Sequence, residues 1–319
     1  MAGQLRLGVA LAILALTGGA ALAEPPAPPP EMAVTRVDRL RITALAAAGK
    51  RLVAAGERGR ILYSDDEAKS WQNAASPVSV SLNALAFSDK VGLAVGHNAT
   101  ILRSEDDGKT WLAIDLAAKD QPALFAVYLE GTQAIAVGAY GAYFESKDAG
   151  KSWARRNIGA EDFDKHLTGI AGAGKGQFII AGEAGTLMRS NDGGQSWKAL
   201  ASPYLGSYFG VLGLANGGVI AYGMRGQAYL SDDADQHWQR LDLGGQVGAI
   251  QGGRELADGR VLIYGNDGTL AVRAPGAATF KVEQLKNRRT LAAVLPVAGR
   301  MLAAGPNGLH WIGEERVAK

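Results

Sequence analysis

Apolar residues in this chain come in short bursts of four to six positions, each closed by glycine, aspartate, asparagine or serine. One stretch shows the rule. Segments 82–87, 91–95, 100–103 and 109–114 are apolar or alternating, with turn-forming residues between them. Runs this short, punctuated this way, predict strands rather than helices.

The bursts repeat. Trp71, Trp111, Trp153, Trp197 and Trp238 follow one another at steps of 40, 42, 44 and 41 residues. A glycine motif runs longer, with seven copies at steps of 40 to 44: Gly56 to Gly59, Gly96 to Ala99, Gly138 to Gly141, Gly182 to Gly185, Gly223 to Gly226, Gly265 to Gly268 and Gly305 to Gly308. The two series keep one phase, because each aromatic follows the second motif position by 12 residues. In the sixth unit that aromatic is Phe280. Four strands in a unit of about 40 residues is the signature of a propeller blade. The fold expected is therefore all-β, a seven-bladed β-propeller over 32–319.

The seventh unit offers strands at 290–295, 300–304 and 309–312 but no fourth. Segment 32–37 precedes the first complete inner strand, so it is expected to pair as the missing outer strand and close the ring, which removes open sheet edges. Small residues at Ala44, Ala84, Ala126, Gly169, Gly210, Gly248 and Ala292 are expected where the inner strands crowd the axis.

Between the third and outer strands the chain repeats Ser-x-Asp-x-Gly-x-Ser/Thr-Trp. Complete copies are Ser104 to Trp111, Ser146 to Trp153 and Ser190 to Trp197. The first unit has Ala68 at the glycine place, and the fifth has Asp235 there and His237 at the hydroxyl place. Aspartate and hydroxyl groups accept hydrogen bonds from turn N–H groups, glycine adopts positive φ, and tryptophan buries a large ring. Asp66, Asp106, Asp148, Asp192 and Asp233, with the five tryptophans, are thus expected to be structural. An EF-hand would also need a downstream bidentate glutamate, which is absent, so no metal is expected.

The termini and composition narrow the class. Arg6, the apolar segment 7–16 and Ala21-Leu22-Ala23 form a secretory signal with a small-x-small cleavage site, which assigns 1–23 as export peptide. Segment 24–31 is a proline-rich spacer. A periplasmic or secreted protein follows, without a membrane span after cleavage. A formal charge of +2 argues against nucleic acid as partner. There is no cysteine, which excludes disulfides and thiol catalysis.

The complete boxes, the phased glycine turns and strings such as Val91-Gly-Leu-Ala-Val-Gly96 and Thr100-Ile-Leu-Arg-Ser104 resemble bacterial BNR/Asp-box propellers. More closely, they are similar to the photosystem II stability/assembly factor family and its relatives in non-photosynthetic bacteria. The resemblance runs from about Val37 to the end. It implies an exported propeller without catalysis or cofactor, one that assists assembly by holding a subunit of a membrane complex. Some relatives are associated with export systems. Sialidase-like glycosidases are the alternative, since their propellers also carry Asp boxes, and Arg41-Ile42-Thr43 resembles the Arg-Ile-Pro segment that opens them. Arg225, Tyr264 and Glu183 match the other required residue types, but none lies in a recognisable motif. No nucleophile elbow, phosphate loop or zinc-protease motif is present.

The glycine turns and the blade-to-blade connections fall on one end of the ring. That end should display Arg58, His97, Tyr140, Glu183, Arg225 and Asp267, with an exposed Phe163 in the long connection after Trp153. Arginine and tyrosine are favoured anchors in protein interfaces. The expected partner is a protein or peptide of the cell envelope, bound by a chain that is monomeric outside its complex.

Overall fold

Each repeat folds as an antiparallel meander in which strand follows strand across the sheet. The structure, a computed structural model, describes residues 33–233, 237–244 and 247–313. The expected export peptide, the spacer and Asp235 lie outside the described residues. In the first blade the inner strand Ile42–Ala48 pairs with Arg51–Gly56, then Ile61–Ser64, then the short outer strand Gln72–Asn73. The second blade repeats this with Leu82–Ser88, Val91–Gly96, Ile101–Ser104 and Leu112–Ile114. Six sheets have four strands. The seventh, Ala293–Val297, Arg300–Gly305 and Gly308–Trp311, has three among the described residues.

The second strands are buried on both faces because every blade is covered by two neighbours. Val53, Ala54, Ile179, Ile180, Val219 and Ile220 are all buried. Seven apolar clusters fill seven seams, one between each pair of neighbours. One of them joins Leu295, Leu302 and Leu309 of the last blade to Ile42, Leu45 and Leu52 of the first. Inner strands touch around the whole circle, the last against the first. The ring is closed, and burial of about 1.5–3 kcal/mol per large apolar side chain across these seams is its main support.

Closure does not use the early segment as expected. Ala33 bridges to Gln72, and the Val34 N–H donates to the Trp71 carbonyl at 2.8 Å. The segment therefore bonds to the outer edge of the first blade, not the last. Val34, Val37 and Leu40 then cap the first–last seam together with Trp311. The apolar seam, rather than the free edge of the last sheet, attracts these side chains.

Every inner strand of the first six blades begins with a register shift, as between Ile42 and Ala44. In the first, second and fourth blades the displaced residue, Thr43, Asn83 or Thr168, reaches sideways to the next blade. Thr43 donates to the Leu82 carbonyl at 2.5 Å, and Thr168 to the Tyr208 carbonyl at 2.9 Å. Beyond the shift lie Ala44, Ala84, Ala126, Gly169 and Gly210, as expected. In the last two blades the equivalent residues are Gly252 and Ala293, not Gly248 and Ala292. Crowding explains the small size: a Cβ on Gly169 would sit 2.7 Å from the Gly210 Cα.

Candidate functional site

The glycine turn between the second and third strands shapes one end of the ring. The first glycine of the motif has no room for a side chain. A Cβ on Gly56 would lie 2.0 Å from the Arg41 carbonyl oxygen, and one on Gly182 would lie 2.3 Å from that of His166. The chain then makes a tight turn whose apex residue is left-handed, with φ of 56° at Arg58, 55° at Asn98, 53° at Tyr140, 57° at Arg225 and 55° at Asp267. This conformation costs an L-residue roughly 1–2 kcal/mol. Asparagine tolerates it best, whereas arginine, tyrosine and, at the apex of the fourth blade, Ala184 with φ of 52° are held there by the turn itself.

Arg58, His97, Asn98, Tyr140, Arg225 and Asp267 are all exposed on this rim. Tyr140 and Glu183 are brought together through His166, a residue the motif reading passed over. The Tyr140 N–H donates to His166 Nδ1 at 3.2 Å, and the rings meet edge-on with centroids 4.8 Å apart. The His166 N–H donates to Glu183 Oε2 at 3.0 Å. Only proximity across a blade boundary reveals this cluster. Phe163 departs from expectation: it is half-buried, packed over Gly141 and Gly159. The Gly141 N–H donates to the Lys165 carbonyl, which pins the long connection down and turns the ring inward.

The rim is also cationic. Arg39, Arg41, Arg58, Arg225 and Arg288 are exposed, and none is in an ion pair among the described residues. Arg155 and Arg156 are instead neutralised by Asp120 and Glu145.

The Asp boxes occupy the opposite end. In the third blade, Asp148 Oδ1 accepts from the Ser146 hydroxyl at 2.7 Å and the Ser152 N–H at 2.9 Å, while Oδ2 accepts from the Ser152 hydroxyl at 2.6 Å. Ser146 Oγ accepts the Gly150 N–H at 2.9 Å. Asp66, Asp106 and Asp192 repeat these bonds, and in the fifth blade His237 Nδ1 lies 3.0 Å from Asp233 Oδ2. Donors within the turn itself occupy these carboxylates. Each tryptophan packs into the seam with the preceding blade, Trp71 against the last blade and Trp111 against the first. Phe280 does the same in the sixth blade, where the rest of the box is lost.

The residues that a glycosidase would need do not converge. Tyr264 is buried in the sixth–seventh seam, where burial pushes its phenol up. Glu183 is bonded to His166 two blades away, and Arg225 stands alone at the apex of its turn.

Repeat and closed ring define the class as a seven-bladed β-propeller. The family model for the photosynthesis system II assembly factor YCF48 matches residues 124–294, more than half of the chain. The chain belongs to that family. Among solved structures, YCF48 bound to a D1 peptide is similar with a TM-score of 0.70 at 17% identity, covering 90% of this chain and 96% of that one. YCF48 from Cyanidioschyzon merolae gives 0.69 at 18% identity, covering 88% and 97%. An ancestral GH74 enzyme gives 0.70 at 13% identity, covering 85% of this chain but 44% of that one. At such identities these likenesses carry the fold alone. No curated protein matches the chain.

Proposed function

We propose that this protein is an exported, non-catalytic binding and assembly factor of the cell envelope. Its glycine-turn rim holds a protein or peptide segment of a membrane complex, and an export system is one such setting. The observation that carries the reading is the set of exposed arginines on one rim, none with an ion-pair partner among the described residues. Guanidinium groups left unpaired on a shallow surface suit carboxylate-bearing polypeptide. Family membership supports the reading, as does the similar YCF48 structure that holds a D1 peptide. The signal-like N-terminus read from the sequence supports an encounter outside the cytoplasm.

The test is capture from native envelope extracts by wild type and by Arg58→Ala/Arg225→Ala, with bound proteins identified by mass spectrometry. The double variant should keep its melting temperature and lose the partner. Retention of every wild-type partner by the double variant would rule out the rim as the binding surface.

A further inference from the structure

Four large apolar side chains are exposed among the described residues, and three of them lie on this rim: Tyr140 at 70%, Leu205 at 87% and Met224 at 38%. They are neighbours along one arc. Tyr140 is bonded to His166. The Glu183 N–H donates to the His166 carbonyl at 2.9 Å, and the Gly185 N–H to the Gly206 carbonyl at 2.8 Å. The Met224 N–H donates to the Ser207 carbonyl at 3.1 Å. This chain of turn-to-connection bonds carries the apolar groups across the third, fourth and fifth blades. At the inner edge of the same arc, Phe125 and Phe209 are half-buried at positions where the first, second and sixth blades place Thr43, Asn83 and Gln251 and the fourth blade, between them, places Thr168.

The arginines are distributed otherwise. Arg39, Arg41 and Arg58 belong to the first blade and its lead-in, and the Arg288 Cα lies 3.2 Å from where a Cβ on Gly268 would stand, in the sixth blade. Only Arg225 adjoins the apolar arc, next to Met224. The exposed apolar side chains thus lie in one sector of the rim, an apolar sector that also carries Glu183 and the acidic connection residues Asp162 and Asp164, and the arginines other than Arg225 lie in a cationic sector.

We infer that the apolar sector is a peptide subsite, and that the segment it takes carries large apolar side chains followed by a carboxylate that reaches Arg225. The inference rests on the reading of this rim as a polypeptide-binding surface and adds its specificity. Scattered exposed apolar residues need no explanation, but three of the four large ones gathered on one arc of one rim do. The carboxylate requirement follows from charge complementarity with Arg225 and with the cationic sector beyond it.

Three fluorescein-labelled dodecapeptides test this by anisotropy: one mixing leucine, phenylalanine and aspartate, one with serine replacing the apolar residues, and one with lysine replacing aspartate. Burial of one or two apolar side chains should make the first bind about 10- to 100-fold tighter than the second. Tyr140→Gly/Leu205→Ser should erase that advantage, leave the serine peptide unaffected and leave the melting temperature unchanged or higher. Equal binding of the first two peptides, with affinity still lost in Arg58→Ala/Arg225→Ala, would overturn the apolar subsite and leave the rim reading standing. Absence of binding by all three would overturn the subsite, and the envelope capture would then decide the rim separately. Unchanged preference in Tyr140→Gly/Leu205→Ser would also overturn it.

Discussion

A single aspartate shows how the repeat works at the residue scale. Burial alone would favour the neutral form of Asp148. The hydroxyl and N–H groups of Ser152 and the hydroxyl of Ser146 outweigh it and hold the carboxyl at about 2. The Ser196 hydroxyl is the first cause of the same shift at Asp192, and the Ser70 hydroxyl at Asp66. A folded value below the unfolded one, about 3.9, means stability that is fully present above that value and is lost as pH falls towards 2. Melts of the wild type should therefore fall steeply between pH 4 and 2. Asp148→Asn should lower Tm at pH 7 by roughly 2–4 °C, for about one hydrogen bond lost, and show a shallower acid slope. Parallel acid curves for the two proteins would contradict this. Glycine at the turn entrance is the other residue-scale device. Gly182→Ala forces a methyl against the His166 carbonyl oxygen, 2.3 Å away, and should cost about 1–3 kcal/mol by urea unfolding. A variant as stable as wild type would show that the inner strand can yield.

The element scale turns on alternation in the outer strand. Trp111 is fully buried and its Nε1 donates to the Gly108 carbonyl at 2.9 Å, whereas the next residue, Leu112, is 39% exposed. Trp111→Ala should cost about 3–5 kcal/mol and Leu112→Ala within about 0.5 kcal/mol. Equal costs would mean that the box anchors something other than the seam. This contrast also marks what the sequence made legible. The repeat of Trp and Gly-x-x-Gly fixed the blade count and the phase of most strands, because those residues obey local chemistry, but not the inner-strand positions of the last two blades or the pairing of segment 32–37. Strand ends moved by one to three residues, as when the third strand of the second blade began at Ile101 rather than Thr100 and its outer strand at Leu112 rather than Lys109. The inner-strand bulges and the first glycine's steric role stayed hidden, since each depends on a backbone some 16 residues away. The rim followed the same division. Turn apices such as Arg58 and Tyr140 were readable from the motif, whereas His166 and Leu205 sit on connections without a motif, and Phe163 turned inward on contacts no spacing encodes.

At the scale of the whole molecule, one seam differs from the other six. Among the described residues no sheet ladder joins any two blades, and the chain runs on from each blade to the next except across the boundary between the last and the first. That seam rests on its apolar cluster and on the lead-in segment, tied to the Trp71 carbonyl and spread over Trp311 and Leu302 by Val34, Val37 and Leu40. The close fit of the Val37 carbonyl against Gly308, where a Cβ would lie 2.1 Å from its oxygen, holds the segment to the last blade as well. Local openings follow the boundaries with least reinforcement. Val34→Asp/Val37→Asp places two carboxylates against this cluster and should destabilise the protein by about 2–4 kcal/mol. Hydrogen exchange should then accelerate first in Gly308–Trp311 and Ile42–Ala48, while Leu167–Gly172 and Tyr208–Gly213 on the far side keep their protection. Peptide binding at the third to fifth blades should survive at temperatures where the first–last seam has already loosened. Uniform loss of protection in all seven blades would instead make the ring a single cooperative unit, with no preferred place to open.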